Sequence, residues 1–396
     1  MQKDLTVIIG GGAAGICAAI STARRGGSVT LCEKTPYLGK KILATGNGRC
    51  NLLNVNLDET HYNAAARGLV RSVFDRFGKA EVLDFFKSLG LETYSQDGRI
   101  FPRTNQAASV LRVLEIELKR LGVPVEYDFD CTAIMRSRDG LFVTSKKGQR
   151  IECQKVILTG GGKSYPSFGA DGSGFTLARQ LGHSIVEPVP STVPLVVKDN
   201  LCHLLQGQRI FASARGVIES RPGEAVSSEL LFTKYGLSGT CILDISEAIS
   251  IALNRRHETD IEVAVDLAPF MERVALRKEL ERRRQMDMAS EDMLTGILPN
   301  KFGAAFKEVF EQGNLDLAVR AIKDRRFKVS GTRGWNEAEF TSGGVAADEI
   351  KPGTLESKLI DGVYFAGEVL DVDGQRGGYN LGWAWASGVV AGWECP

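Results

Sequence analysis

The sequence has no C-x-x-C pair, no apolar run of membrane-spanning length and almost no net charge, and each absence removes a class of function. Lys and Arg number 49 against 48 Asp and Glu, a formal net charge of +1. Nothing in the bulk charge therefore draws the chain to nucleic acid or to an anionic membrane surface. No uninterrupted apolar stretch reaches the ~20 residues that a membrane helix needs. Met1-Gln2-Lys3-Asp4 runs directly into an apolar strand pattern, which leaves no room for a signal peptide. The eight cysteines (Cys17, Cys32, Cys50, Cys131, Cys153, Cys202, Cys241 and Cys395) are scattered, and most sit in apolar runs as small hydrophobes. This usage excludes a disulfide framework and suits a reducing, cytoplasmic compartment. No metal site is read from the sequence.

What the chain does have is glycine, 44 residues of it among 396. The most informative glycines stand near the start. Leu5, Val7, Ile8 and Ile9 form a short apolar run of the kind that makes a buried strand. Gly10-Gly11-Gly12-Ala13-Ala14-Gly15 follows, with glycines in G-x-G-x-x-G spacing. Ile16–Arg24 is helix-compatible, Gly26-Gly27 ends it, and Ser28–Cys32 reads as a second strand with Glu33 at its end. Gly10 permits the tight turn, Gly12 lets backbone approach a pyrophosphate, and Gly15 allows helix to pack closely on strand. The helix start, at Ala13 and Ala14, directs free N–H groups and a positive dipole end at the phosphates. Glu33 lies where an acid takes the ribose hydroxyls. A lone glycine motif is weak evidence; the strand–turn–helix–strand–acid context makes this one a dinucleotide site.

Gly39–Asn51 carries too many Gly and Asn for a helix or strand interior, and reads as an ordered loop against a ligand. Lys40, Lys41 and Arg49 are placed to face phosphates, and Asn47 and Asn51 to hydrogen-bond the edge of a heterocycle. Thr45, Gly46 and Gly48 shape the turn. Cys50 has no second cysteine close by, which argues against a dithiol relay and for a packing role.

Val70–Leu89 reads as one or two amphipathic helices and Asn105–Leu121 as another. Tyr94–Pro102 reads as a hairpin around Asp97-Gly98. Cys131–Arg136 and Gly140–Ser145 pair as antiparallel strands. Lys155–Thr159 is a buried strand leading into Gly160-Gly161-Gly162. It lacks the spacing of a second nucleotide fold, so it is read as a strand returning to the first site, with its Thr159-Gly160-Gly161 bend close to the cofactor. From about Ser191 short runs at Val193–Val197, Gln208–Phe211, Arg215–Ser220, Leu230–Thr233 and Ile261–Val265 indicate a small antiparallel β unit. Met271–Gln312 is helical and locally basic, but glutamates interleave with its arginines, the pattern of a solvated face. At the far end Gly362–Glu368 is a strand running into glycine, Asp371–Asn380 is a loop, and Leu381–Gly392 is an apolar helix rich in small residues. Such a strand–Gly-Gly loop–helix start is a second anion-friendly cradle.

Laid side by side, these segments resemble the YhiN/BaiN-like family of FAD-dependent flavoproteins, which includes the aminoacetone-oxidase-like enzymes. The resemblance is carried by Gly10–Gly15, Thr45–Asn51, Gly161–Pro166, Leu231–Thr233, Thr341–Val345, Gly367–Gly374 and Gly377–Asn380. It spans nearly the whole chain. It implies an α/β fold: a Rossmann-like FAD-binding domain of glutathione-reductase type with an inserted antiparallel β unit and a small helical cap. The expected segments are 1–190 and 331–396 for the FAD-binding domain, 191–267 for the β unit and 268–330 for the helical subdomain. The cofactor is FAD, bordered by Gly46–Asn51 and by Gly377, Gly378, Tyr379, Asn380 and Leu381. Lys34, Thr132, Ala133, Thr159, Gly160, Gly161, Tyr165, Gly367 and Glu368 complete the candidate contacts. The family often carries His, then Pro, in the stretch here reading Lys234–Thr240; this chain has Lys234 and Thr240.

The expected activity is an oxidoreductase passing a hydride between a small organic substrate and flavin. Amine oxidation and enone reduction both fit, with oxygen or transiently bound NAD(P)H as the second partner. Tyr165, Arg49, Lys234 and Tyr379 are weak candidates for proton transfer, and no catalytic acid or base is assigned. A flavin-holding sensor or RNA-interaction protein using the Arg273–Arg284 helix is the alternative, although neither nucleic acid nor membrane is expected as a partner. An NAD-only dehydrogenase is a minor third reading.

Overall fold

A computed structural model describes residues 4–138 and 140–395. The chain forms two compact units, residues 1–188 with 340–396, and residues 189–339.

The first unit is organised on a five-stranded sheet. Its spatial order is Val363–Phe365, Lys155–Leu158, Leu5–Ile9, Ser28–Cys32, Val125–Glu126. All neighbours run parallel, with Ile9 opposite both Leu158 and Cys32, and Leu158 opposite Phe365. Strands covered on both faces must be apolar throughout, and Val7, Ile8, Val156 and Ile157 are fully buried. Because the strands are parallel and in register, their carboxyl ends lie along one edge. Ligands of open α/β sheets bind in the crevice at that edge.

The helix Ala13–Arg24 packs against the C-terminal helix Tyr379–Trp393 at very short range. A Cβ added at Gly388 would lie 2.3 Å from Ala14 O, and one at Gly392 would lie 2.5 Å from Ala18 O. Gly388 and Gly392 are four residues apart and share one helix face, so the two backbones meet along a glycine stripe. Ser21 Oγ and Thr22 Oγ1 then donate to Val389 O and Gly392 O at 2.8 and 3.1 Å. The two ends of the chain are thereby joined.

Two small antiparallel sheets accompany the main one. The first holds Leu53–Asn54, Arg99–Pro102 and Thr93–Gln96; the second holds Cys131–Ser137, Gly140–Ser145 and Arg150–Cys153. Asp97 and Gly98 both take positive φ, at 50° and 76°, as the expected hairpin turn requires. The amphipathic stretch at 70–89 is two helices, Arg67–Phe74 and Lys79–Ser88, broken before Gly78.

The second unit is a closed antiparallel barrel. Arg209–Ile218 pairs with both Val226–Thr233 and Ile261–Asp266. The circuit closes through Gly236–Ser238, Leu195–Val197 and Arg325–Thr332. The runs read separately at 208–211 and 215–220 belong to one ten-residue strand. The helical stretch at 271–312 resolves into Arg273–Gln285 and Lys301–Glu311. Leu276, Leu280, Phe302 and Phe306 on these helices share one buried core with Leu230, Phe232 and Val263 of the barrel. Residues 268–330, read from the sequence as a helical subdomain, therefore lie in the same compact unit as 191–267, and Arg325–Thr332 is a barrel strand.

Candidate functional site

The first turn has the geometry its glycines foretell. Gly10 holds φ at 110°, and a Cβ there would lie 2.5 Å from Thr159 O. A Cβ on Gly15 would lie 1.8 Å from Gly10 O, whereas one on Gly12 would meet nothing within 4 Å. Gly12 also starts the Ala13–Arg24 helix without any side-chain cap. The first-turn N–H groups, which have no partner inside a helix, thus face an open surface. Glu33 folds its carboxylate back onto this turn: Gly11 N–H donates to Oε2 at 2.7 Å and Thr35 N–H to Oε1 at 2.8 Å. Phe129 N–H donates to Glu33 O at 3.0 Å, which sets the strand carrying Thr132 and Ala133 beside that acid.

The return strand closes on the same turn. The Thr159 hydroxyl reaches Ile9 O at 2.9 Å and Gly10 O at 2.8 Å. Gly160 packs on Gly174, and Gly161, at φ 69°, again has open space where a side chain would be. Tyr165 takes φ 56° and stacks on Phe168 at 5.4 Å.

The 39–51 loop hangs from the turn, since Gly39 N–H donates to Gly11 O at 2.8 Å. Lys40–Ala44 is a short helix, and Gly46 and Asn47 then both adopt left-handed backbone. Thr45 Oγ1 donates to Ile42 O at 2.6 Å, and Cys50 N–H donates to Thr45 O at 3.0 Å. Cys50 is fully buried, and burial pushes its thiol up to about 12. It is not a thiolate nucleophile. Asn51 Oδ1 is buried and has no protein partner, an acceptor waiting for a donor such as a ring N–H.

The basic residues are used differently from one another. Lys34 Nζ is paired with Asp171 at 2.7 Å and with Ser173 Oγ at 3.2 Å. Lys41 Nζ is paired with Glu368 at 2.7 Å and also meets Ser164 Oγ. Glu368 additionally accepts from Ser164 Oγ and from Thr341 N–H, at 3.2 and 2.8 Å. The charges of Lys41, read as phosphate-facing, and of Lys34, read as a cofactor contact, are therefore matched within the protein. Arg49 lies exposed over the Phe101 ring at 4.7 Å, and Lys40 is half-buried at the helix start.

The C-terminal cradle meets the same region. Gly367, at φ 77°, touches Ala14, and Trp383 Nε1 donates to Gly367 O at 3.2 Å. Gly378 holds φ at 103°, and a Cβ there would lie 2.5 Å from the carbonyl carbon of Leu53. Asn54 Nδ2 donates to Gly377 O at 3.0 Å, and Tyr62 Oη to Tyr379 O at 2.7 Å. His61 stacks on Tyr379 at 4.4 Å, and burial raises the Tyr379 phenol above its ordinary value. Asn380 folds back onto Gly374 through two bonds of 3.0 and 2.7 Å; Leu381 follows in the first helical turn. The segment just after the 46–51 loop therefore touches the start of the last helix. Asn54, His61, Tyr62 and Asn63 are candidate site residues that the sequence reading missed. Asn63 bonds the backbone of Asp371 and Asp373 at 3.2 and 3.0 Å. No glycine motif marks these four residues, and their partners lie some 300 positions away.

Two glycine faces open to a ligand, an unsatisfied buried acceptor and an uncapped helix start at a sheet edge fit an extended dinucleotide carrying a heterocycle. They define a Rossmann-type FAD-binding protein. The chain belongs to the family described as "HI0933-like protein Rossmann domain", whose pattern matches residues 4–394. It is 40% identical over 400 residues to the 3-dehydro-bile acid delta(4,6)-reductase of Clostridium scindens, aligned over 97% of each chain. It is 30% identical to the ribosomal RNA dihydrouridine synthase of Haemophilus influenzae, over 98% of this chain and 97% of that one. Its fold resembles that of 3-ketosteroid delta1-dehydrogenase from Sterolibacterium denitrificans, with a TM-score of 0.51 at 12% identity, over 98% and 99% of the two chains. The protein is an FAD-dependent oxidoreductase of this family. No helix among the described residues is long and apolar enough to cross a membrane.

Proposed function

We propose that the enzyme reduces a carbon–carbon double bond conjugated to a carbonyl, using NAD(P)H as hydride source, with a steroid-type 3-oxo-4-ene as the first candidate substrate. The observation that carries this reading is the 40% identity, over 97% of both chains, to a reductase whose name specifies such bonds. The second relative, named for making dihydrouridine, also saturates a carbon–carbon double bond. Bound FAD supplies hydride acceptance and donation at N5. The N–H groups at Gly12–Ala14 hold its pyrophosphate, Glu33 the ribose, and Asn51 Oδ1 a ring N–H. The start of the Tyr379–Trp393 helix favours negative charge on the ring.

Reduction of uracil in RNA is a second reading, supported by the 30% relative. The arginine-rich helix adds little to it. Arg277 pairs with Glu281 and Asp316, Arg282 and Arg283 with Glu279, and Arg284 with Glu281.

The test is anaerobic stopped-flow spectroscopy of the FAD-loaded enzyme. NADH or NADPH bleaches the flavin, and a 3-oxo-4-ene steroid restores its colour with formation of the saturated ketone. Colour restored only by uridine-containing rRNA selects the second reading. Bleaching by aminoketones and not by nicotinamides overturns both in favour of amine oxidation.

A further inference from the structure

Arg99 stands out among the described arginines of the first unit. It is half-buried, and no hydrogen bond or ion pair joins its guanidinium to any described residue. Arg283, Arg325 and Arg326, also half-buried, each hold a carboxylate. Its nitrogens are not enclosed by protein, so the guanidinium is open to a ligand arriving from the solvent side. Its five N–H donors remain unspent.

Its position is fixed by backbone. Arg99 begins a strand of the small three-stranded sheet and lies opposite Asn54 in register. Asn54 is fully engaged: Nδ2 goes to Gly377 O at 3.0 Å, and Oδ1 accepts from Asn56 N–H at 3.0 Å. Arg99 shares that side of the hairpin and the same turn. A Cβ built at Gly377 would lie 3.7 Å from Arg99 Nε, 3.4 Å from Asn54 Nδ2 and 3.8 Å from the Tyr379 ring. The guanidinium therefore lies within contact range of Gly377, at the mouth of the last helix, where the candidate isoalloxazine support begins.

We infer that Arg99 holds the carbonyl oxygen of the substrate whose double bond is reduced. The inference rests on the enone-reductase reading above. When hydride from the reduced cofactor adds to the β-carbon, a C–H bond forms and the π pair moves through the α-carbon onto the carbonyl oxygen. The resulting enolate takes a proton from water at the α-carbon, giving the saturated ketone. A guanidinium on that oxygen binds the growing anion more strongly than the neutral carbonyl. The role assigned to Arg99 is to bind charge at that oxygen, while the proton comes from water. A 3-oxo-4-ene steroid and a uracil ring present the same conjugated oxygen, so the assignment names the group recognised under either substrate.

The test uses the FAD-loaded enzyme and its Arg99→Met and Arg99→Lys forms. FAD affinity and melting temperature stay unchanged, because the guanidinium supports no contact within the fold. Binding of 4-androstene-3,17-dione to the oxidised enzyme, read from the flavin spectrum, weakens about 30-fold in Arg99→Met and recovers in part in Arg99→Lys, as expected for one charge-assisted hydrogen bond. The analogue without the 3-oxo group binds all three forms alike. Unchanged ketone affinity in Arg99→Met overturns the assignment. If the wild-type enzyme binds neither the ketone nor uridine, the proposed function falls, and sulfite decides Arg99 independently of substrate. Sulfite bleaches flavins beside a cation more readily. A weakening of about tenfold in Arg99→Met keeps the cation at the cofactor, and no change removes it.

Discussion

The turn at Gly10–Gly15 and the turn at Gly374–Asn380 do one job by different means. Each leads from a strand of the same sheet into a helix without a side-chain cap. The first is closed by backbone on backbone: Gly10 against Thr159, and Gly15 against Gly10 itself. The second combines a backbone approach, Gly378 against Leu53, with side chains from far upstream, Asn54 on Gly377 and Tyr62 on Tyr379. Contacts made within six residues, such as Gly15 on Gly10, are written into a short motif. Contacts with remote partners, such as Thr159, Asn54 and Tyr62, are written nowhere in particular.

The comparison breaks most severely at Gly15. A methyl group 1.8 Å from Gly10 O has no room, and neither backbone can retreat without moving strand or helix. Gly15→Ala is expected to lose more than about 3 kcal/mol of stability and to yield colourless or insoluble protein, checked by soluble yield and flavin content. Gly12→Ala should do the opposite. Its Cβ meets nothing within 4 Å of protein, so the cofactor-free protein melts as before. FAD affinity falls by about 10- to 100-fold, because the methyl occupies space a pyrophosphate needs; isothermal titration measures it. A loss of apoprotein stability would show that Gly12 serves the fold instead.

The second turn is sharpened by Tyr62→Phe, which removes the side-chain donor to the Tyr379 carbonyl. A cost of about 1–2 kcal/mol in denaturant unfolding is expected, with faster loss of FAD from the intact protein. The smallest effect belongs to Cys50→Ser. The thiol, pushed up to about 12 by burial, stays protonated across the working range, with its anion appearing only as pH rises toward that value. Flavin binding and its reduction rate should be the same in both proteins between pH 6 and pH 9. A pH-dependent difference in that window would place Cys50 in the chemistry.

The parts legible in the sequence share a physical cause. The strand at 5–9, the helix at 13–24 and the hairpin turn at Asp97-Gly98 depend on residues within a few positions of one another. Apolar period and glycine placement therefore report them directly. The barrel was legible only as short runs. Arg209–Ile218 is one strand paired with both Val226–Thr233 and Ile261–Asp266, but its polar interruptions at Ser213 and Arg215 divide the apolar pattern. The helices at 273–285 and 301–311 read as a separate piece because amphipathicity shows that a face is buried and not what buries it.

The sequence by itself determined the dinucleotide turn, since tight backbone approach requires glycine at fixed spacing whatever surrounds it. It also showed an apolar final helix rich in small residues, but not the helix those residues pack against. Only the tertiary structure decided where the charges went. Lys41 met Glu368 across 327 positions, and Arg99 was left with its donors unspent. Electrostatic partners are chosen by distance in space, and a sequence records distance only along the chain.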